Sequence, residues 1–415
     1  MRARTAAMIV LAASASACAC APNTTRLRTD SRLQRVTGGL IAFRSPPAAM
    51  QAMPDTAQGH PLAERMALYK VPSVGIAVID DFRIAWTQGY GVVRADGGAP
   101  VTPDTWFEAA STTKLLVATI ALHLVERGRL DLDTDINAYL RSWRVPENAF
   151  TRERAVTLRL LLTHRAGFPS GSFAEEEGPP PTLVQVLRGE KPALNKPAVV
   201  EFTPGSRWQY SNIGYVILQQ LLEDVAGEPL ERIARDVVFD PLGMESSTLA
   251  YPLPEGERAN EAVPHDAEGI AHAPAMHTTA LAQGGLMTTP HDLARFAIEL
   301  MQAYRGRSDR LLGREMAARM FTPEATIDPA VLGMPLGQGL GALLYGAGEG
   351  MLFLHPGENI PGATCWLMGN PGAGKGIVVM TNGAMGNLLA LEILPAVIQE
   401  YGWPMAGQAD MASDP

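Results

Sequence analysis

Ser111 and Lys114 are separated by one helical turn, a spacing that suits nucleophilic chemistry. Leu115, Leu116 and Leu122 follow with helical apolar spacing, so Ser111 is expected near a helix N-terminus, where free N–H groups stabilise negative charge. Lys114 then lies on the same face. Its amine can take a proton only if its pKa falls well below about 10.4, which burial achieves. A helix-capping serine followed by a solvated lysine fits the same four residues.

Tyr210 and Asn212 form a second polar pair, just before an apolar helix predicted over residues 213–226. In extended backbone, side chains two residues apart point the same way. A phenol can relay a proton, and an amide can donate to a carbonyl while accepting from an amine. Taken alone, a half-buried tyrosine and a helix-capping asparagine are equally good interpretations.

His355, Gly357 and Glu358 belong to a third polar segment, which precedes the last predicted strands. A histidine on an edge strand can bring a polarisable ring to a substrate, and a glycine two residues later exposes backbone N–H groups. A histidine with a purely structural role is the simpler alternative.

The positions of the apolar segments predict a mixed α/β (α+β) fold. Residues 74–79 and 83–90 have the pattern of one strand pair, and residues 363–368 and 377–381 that of another. The chain between them is mostly helical, and an apolar helix follows over 388–401. We therefore expect an antiparallel sheet built from N- and C-terminal strands, flanked by helices, with an inserted helical lobe.

Composition limits the function classes. The chain has 415 residues, of which 47% are hydrophobic and 19% charged, enough for a large core. Its formal net charge of −9 argues against a nucleic-acid-binding surface, and no nucleic-acid partner is expected. We predict one catalytic domain over residues 61–405, preceded by a tether over 22–60 and followed by a tail over 406–415.

The first 21 residues have the pattern of an export signal. Arg2 and Arg4 precede a short apolar run over 6–13, which is too short to span a bilayer. Cys18 or Cys20 could carry a lipid anchor, simple cleavage is the alternative, and an uncleaved anchor is a third. The protein is therefore expected in the periplasm or as a membrane-anchored lipoprotein. Cys365 is then the last cysteine of the mature chain, and it is expected to be a core thiol without a disulfide.

Two other patterns carry less weight. Residues 369–375 match most of a phosphate-binding loop, but Gly376 replaces the required Ser or Thr and the next segment is strand-like, so a hairpin turn is expected. His265, His272 and His277 lie in a proline-rich loop, where loop polarity is a better interpretation than a zinc site. We expect no metal site.

The three polar segments, taken in order, resemble one family. Ser-x-x-Lys, Tyr-x-Asn and Lys-or-His-x-Gly, with this order and spacing, are typical of the serine β-lactamase and penicillin-binding protein superfamily, in its class C and esterase-like branch. The resemblance covers about residues 65–400. Supporting segments lie at 71–75, 90–91, 160–167, 241–244 and 284–289.

The resemblance implies a role for each candidate residue. Ser111 would be acylated, with Lys114 and Tyr210 sharing the proton transfers. Asn212 would orient the substrate, and His355 would take the place of the third-motif cation. The oxyanion hole would use the N–H groups of Ser111 and of Glu358, the residue after Gly357. Water would hydrolyse the acyl-enzyme, and no cofactor would be needed.

The third motif departs from the β-lactamase pattern at two positions. A histidine is only partly charged near neutral pH, and Pro356 supplies neither a hydroxyl nor an N–H. Binding of a substrate carboxylate should therefore be weaker. Esters are the expected substrates, followed by small peptides or amides and then β-lactams. The alternatives are a β-lactamase, a D-Ala-D-Ala carboxypeptidase, or a slowly deacylating penicillin-binding or sensor protein.

Overall fold

The computed structural model describes residues 26–43, 54–171, 180–273 and 279–404. The strands in these ranges are β1 (Leu40–Phe43), β2 (Pro54–His60), β3 (Ser73–Asp80), β4 (Arg83–Gly91), β5 (Phe107–Glu108), β6 (Met287–Thr288), β7 (Ala325–Ile327), β8 (Leu336–Gln338), β9 (Leu343–Tyr345), β10 (Leu352–Asn359), β11 (Ala363–Asn370) and β12 (Lys375–Thr381).

The helices in the same ranges are α1 (Arg26–Gly38), α2 (Leu62–Tyr69), α3 (Thr113–Glu126), α4 (Ala149–Glu153), α5 (Leu158–Leu162), α6 (Leu183–Arg188), α7 (Asn212–Ala226), α8 (Leu230–Ala234), α9 (Asp240–Leu242), α10 (Glu255–Arg258), α11 (Pro290–Tyr304), α12 (Arg314–Met320), α13 (Pro329–Leu332) and α14 (Gly386–Glu400). A short 3₁₀ turn, Ala110–Thr112, contains Ser111 and leads directly into α3.

The main sheet joins the two ends of the chain, as the sequence predicts. Its strand order in the described residues is β4-β3-β12-β11-β10-β9-β8-β7, and the pairings are antiparallel. β12 lies between β3 and β11, so the C-terminal strand pair is adjacent to the N-terminal hairpin. The predicted antiparallel sheet with flanking helices is confirmed.

Both faces of the central strands are covered, which explains their uninterrupted apolar runs. On β3, Ala77 and Ile79 pack into the core that includes α3 and α7, whereas Val74 and Ile76 pack against α14 and α2 on the opposite face. A strand buried on both sides needs no polar alternation. The helical lobe follows β5 and occupies the first of these two faces.

The segment before residue 61 differs from the predicted tether. Residues 26–43 and 54–60 form α1, β1 and β2, and β1 pairs with β2. Val36 and Leu40 are buried in the core beside α14. The sequence does not predict these elements, because β1 and β2 are short and α1 is mostly polar, so no apolar period can be recognised.

The middle of the chain also contains more strands than expected. β7, β8 and β9 are three residues each and extend the sheet beyond β10. Such short strands carry too few residues for alternation to appear in the sequence. Among the described residues, no helix combines the length and apolar character that a membrane crossing requires.

Candidate active site

Ser111 lies on a turn that is fixed from two sides. Ala110, directly before it, has φ +46, a conformation that costs energy for a residue with a Cβ. The Thr113 hydroxyl donates to the Ala110 carbonyl at 2.6 Å. The Thr112 hydroxyl donates to the His355 carbonyl of β10 at 3.0 Å. The turn is therefore attached both to its own helix and to the sheet.

Lys114 is completely buried beside Ser111. Its side chain has 0% exposure, and its Nζ lies 3.1 Å from Ser111 Oγ. The same amine donates to the Gln283 carbonyl. Burial lowers the pKa of Lys114 well below its usual value, because the charged form loses its hydration. The neutral amine can then accept a proton from Ser111.

Tyr210 reaches the same place from the loop before α7. Burial raises the pKa of Tyr210 to about 12, and hydrogen bonding to Ser111 opposes that rise. The Lys114 amine lies 5.1 Å from the centre of the Tyr210 ring. A phenol with this pKa stays protonated at neutral pH, so it is poised to donate rather than to accept.

Asn212 is placed differently from the extended backbone that the sequence predicts. It is the first residue of α7, and Ser211 is the cap, with its Oγ accepting from the Gly214 N–H at 3.1 Å. Ser211, the residue between Tyr210 and Asn212, is extended, whereas Asn212 itself is helical, so the alternative of Asn212 as the helix cap is wrong. Asn212 Oδ1 is buried and has no hydrogen-bond partner in the described residues, so it is available to accept a hydrogen bond.

His355 is neutral, which corrects the expected partial charge. It is 3% exposed, and burial followed by the field of Lys114 lowers its pKa to about 3. His355 Nδ1 lies 2.8 Å from the Pro356 carbonyl. A carbonyl only accepts, so Nδ1 carries the proton and Nε2 is left as an acceptor.

Gly357 allows the sheet to approach the Ser111 turn. A Cβ built on Gly357 would lie 2.6 Å from the Ala109 carbonyl oxygen and 2.8 Å from the Ser111 nitrogen. β9 pairs with β10 only over residues 352–354, so among the described residues no strand lies beside the part of β10 that contains Gly357, and the Ser111 turn takes that place. The Glu358 carboxylate points to the other face, where it accepts from Asn387 Nδ2 at 2.8 Å.

Two further residues support the site, and their roles were not recognised in the sequence. His164 has φ +54, its ring centre is 4.4 Å from that of Tyr210, and its Nδ1 accepts from the Ser211 N–H at 3.2 Å. Its carbonyl accepts from the Gln209 N–H at 2.9 Å. His164 therefore contacts the Tyr210 ring and the backbone of the residues on either side of it, Gln209 and Ser211. The second residue is Gln283, whose carbonyl accepts a hydrogen bond from the Lys114 amine. Both residues lie in or beside supporting segments of the family pattern, but only the structure connects them to the catalytic groups.

The remaining titratable candidates lie outside this constellation. Cys365 is a buried free thiol, as predicted. His265 is buried and its Nε2 accepts from the Ala95 N–H, whereas His272 pairs with Asp266. His277 lies outside the described residues. In the described part of the chain, no group of three or more His, Cys, Asp or Glu side chains could hold a metal ion.

The assembled groups can carry out acyl transfer. A hydroxyl, an amine whose neutral form burial favours and a protonated phenol meet around Ser111, and the imidazoles of His164 and His355 lie close to Lys114. This is a nucleophile with a base and an acid beside it.

Similar proteins include a putative D-alanyl-D-alanine carboxypeptidase from Escherichia coli (strain K12). It is 28% identical over 224 residues, which cover 51% of this chain and 51% of that protein. The chain spans about half the length of the putative carboxypeptidases it matches.

Solved structures extend the likeness to most of the chain. The octameric penicillin-binding protein homologue from Pyrococcus abyssi matches with a TM-score of 0.66 and 26% identity, over 82% of this chain and 77% of that one. The D-amino acid amidase from Ochrobactrum anthropi SV3 matches with a TM-score of 0.65 and 21% identity, over 90% and 99%. The second match shows the fold alone.

The family model described as beta-lactamase matches residues 62–398, a range that contains α3, the Tyr210 loop and β10. The chain belongs to the beta-lactamase family.

Proposed function

We propose that this protein is a serine hydrolase that forms an acyl-enzyme on Ser111 and prefers uncharged esters or small amides and peptides. The observation that carries the proposal is the 3.1 Å contact between Ser111 Oγ and the fully buried amine of Lys114. A solvated lysine in a structural helix would not be enclosed in this way.

In the acylation step, the Lys114 amine takes the proton of the Ser111 hydroxyl while the oxygen bonds to the substrate carbonyl carbon. Tyr210 gives its proton to the leaving oxygen or nitrogen as that bond breaks, and it regains a proton from Lys114. The N–H groups of Ser111 and Glu358 are assigned to the oxyanion, as the family resemblance implies. Water then attacks the acyl carbon and its proton passes to the Lys114 amine, which protonates the Ser111 oxygen as the acyl–oxygen bond breaks and the carboxylic acid leaves.

The neutrality of the third motif supports the substrate preference. His355 is uncharged and Pro356 has no hydroxyl, so β10 offers no cation to a substrate carboxylate. Desolvating an unpaired carboxylate is costly. Esters are therefore placed first and amides or peptides second, with β-lactams, which carry a carboxylate, last.

The nucleophile is tested by replacement. We expect Ser111→Ala to lose both labelling by a fluorophosphonate and turnover of p-nitrophenyl acetate, while Ser206→Ala, at an exposed serine, keeps both. Intact-mass spectrometry of the labelled protein measures the first and absorbance at steady state the second. Turnover that survives in Ser111→Ala would show that the assignment is wrong.

The substrate class is tested with matched pairs. We expect p-nitrophenyl butyrate to be hydrolysed with a higher kcat/KM than p-nitrophenyl hemiglutarate, which adds a terminal carboxylate. D-Alanine amide and a chromogenic cephalosporin extend the series to the other candidate classes. Faster hydrolysis of the carboxylate-bearing partner would contradict the proposed preference.

A slowly deacylating penicillin-binding or sensor protein is the second candidate. It is favoured by Pro356, which departs from the pattern of efficient β-lactamases. Under this alternative, intact-mass spectrometry would detect a long-lived adduct on Ser111 with little turnover. Rapid return to the free mass would eliminate it.

We also propose that the protein acts outside the cytoplasm, in the periplasm or as a membrane-anchored lipoprotein. Arg2, Arg4 and the short apolar run over 6–13 support an export signal, and Cys18 or Cys20 supports a lipid anchor. Labelling with a palmitate analogue in cells, compared between the wild type and Cys18→Ser and Cys20→Ser variants, tests the anchor. Equal labelling of all three proteins would contradict it.

A further inference from the structure

Glu108 is a buried carboxylic acid next to the active site that the proposed mechanism does not use. It ends β5, three residues before Ser111, and is 2% exposed. β5 pairs with β6 through Glu108 and Met287. The position of the Glu108 side chain is thus fixed by the same backbone that leads into the Ser111 turn.

The Glu108 carboxyl contacts the end of β10. Its Oε2 accepts from Asn359 Nδ2 at 2.8 Å, whereas its Oε1 is buried without a partner in the described residues. Asn359 directly follows Glu358, whose N–H is assigned to the oxyanion hole. The Glu108–Asn359 hydrogen bond therefore joins the start of the Ser111 turn to the strand on the other side of the reacting carbonyl.

Asn359 also contacts the segment that holds the base. Its Nδ2 lies 3.3 Å from the Gly284 carbonyl, and the preceding residue, Gln283, accepts from Lys114. One amide side chain thus lies among the segments that position the nucleophile, the oxyanion donors and the amine. Without the Glu108 carboxyl, the Asn359 side chain would lose one of the hydrogen bonds that hold these segments together.

We propose that Glu108 is a positioning residue: by accepting a hydrogen bond from Asn359, it holds the end of β10 in register with the turn that carries Ser111. This inference rests on the proposed acyl transfer at Ser111. Glu108 does not touch the reacting atoms, and it acts through Asn359.

The charge of Glu108 tunes this contact. Burial raises its pKa to about 7, the Asn359 hydrogen bond opposes the rise, and the field of Glu261 adds to it. Tyr251 and Arg258 act on Glu261 from the same cluster. An ionised carboxylate accepts a stronger hydrogen bond than a protonated one. The contact is therefore strongest above neutrality and weakens as the pH falls through about 7.

Replacing Glu108 tests the role. We expect Glu108→Leu, which keeps the volume, to lower the rate constant for acylation of Ser111 by a fluorophosphonate about tenfold or more, because a misplaced reacting group is costly. Glu108→Gln keeps an acceptor for Asn359 and should stay within about threefold of the wild type. Steady-state ester hydrolysis should show the loss of Glu108→Leu in kcat rather than in KM.

Two further readouts separate positioning from a merely structural role. We expect Glu108→Leu and Asn359→Leu to be non-additive in a double-mutant cycle, because they remove the same contact. The wild-type acylation rate should fall with decreasing pH near 7, a change that Glu108→Gln lacks and that Glu261→Gln moves to lower pH. Thermal unfolding of every variant verifies that it is folded.

The outcomes distinguish this inference from the proposed function. If the wild type is not acylated at Ser111, the proposed function fails. If the wild type is acylated and folded Glu108→Leu is acylated equally fast, only the positioning role is overturned. Strict additivity with Asn359→Leu, or a pH profile unchanged in Glu108→Gln, overturns it as well.

Discussion

Lys114 shows how one buried side chain determines the chemistry available to its neighbour. Its amine has no solvent exposure and contacts Ser111 and the Gln283 carbonyl. Neutral His164 and His355 lie nearby and add no charge of their own. Because burial disfavours the ammonium form, the Lys114 amine is more readily available to accept the Ser111 proton than an exposed lysine would be.

Replacing Lys114 should mainly affect acylation. We expect Lys114→Ala to lower the acylation rate about a hundredfold or more, the cost of losing a general base. Lys375→Ala is the matched control, because Lys375, at the start of β12, pairs with Asp80, at the end of β3. The measurement is single-turnover acylation by an activated ester. A normal rate in Lys114→Ala would assign the base role to Tyr210 or water.

The pH dependence follows from the same lowered pKa. As the pH falls, Lys114 becomes protonated and acylation slows. Because the folded protein lowers this pKa, the loss occurs at a lower pH than an ordinary lysine would give. A profile of the wild type from acid to alkaline pH verifies the direction. A rate that rises only above pH 10 would contradict the proposed neutral amine.

At the scale of elements, the site depends on the close contact between β10 and the Ser111 turn. The Thr112 hydroxyl donates to the His355 carbonyl, and Gly357 can lie against the turn because it has no side chain. Beyond residue 354, β10 has no β9 partner among the described residues, so the Ser111 turn can approach that edge of the strand.

Gly357→Ala should separate the two elements. The added Cβ would meet backbone atoms of the Ser111 turn at less than 3 Å, so the strand must move. We expect acylation to fall about a hundredfold, as for other small misplacements of reacting groups. Gly256→Ala in α10 is the control, since nothing lies within 4 Å of its Cβ position. Comparable acylation rates in both variants would disprove the steric argument.

The sequence predicts long or strongly patterned elements and misses short ones. The β3–β4 hairpin, the β11–β12 pair and α14 follow from their apolar runs. Strands β7–β9 are too short to carry a period, and α1, although it has 13 residues, is mostly polar and shows no apolar stripe.

The candidate site follows the same division. Residue type and order indicated Ser111, Lys114, Tyr210 and His355. The charge of His355, the helical position of Asn212 and the contacts of His164 and Glu108 depend on burial and tertiary packing. No local pattern in the sequence specifies these features.

At the scale of the whole molecule, α14 connects the C-terminal part of the chain to the elements before β3. Glu392 of α14 has no solvent exposure, pairs with Arg65 of α2 at 2.7 Å and accepts from the Tyr69 hydroxyl at 2.6 Å. Glu400 of the same helix pairs with Arg35 of α1 at 2.6 Å, but Arg35 is largely exposed. The two ion pairs therefore differ mainly in burial.

This difference predicts unequal effects on stability. Glu392→Gln leaves the Arg65 charge partly buried without its partner, so we expect the free energy of unfolding to fall by about 3 kcal/mol. Glu400→Gln should change it little, because water replaces the partner of an exposed arginine. Urea unfolding measures both variants. Acylation per folded molecule should stay at the wild-type rate, and equal destabilisation would refute the comparison.

The position of β12 between β3 and β11 has a consequence for the order in which the protein is made. When the ribosome has synthesised the nucleophile helix, the strand that must lie beside β3 is still more than 200 residues away. The sheet, whose strand β10 lies beside the Ser111 turn, can form completely only after residues 375–381 have emerged from the ribosome. Pairings this distant in sequence form slowly. The nascent chain therefore lacks the completed sheet until residues 375–381 have been synthesised.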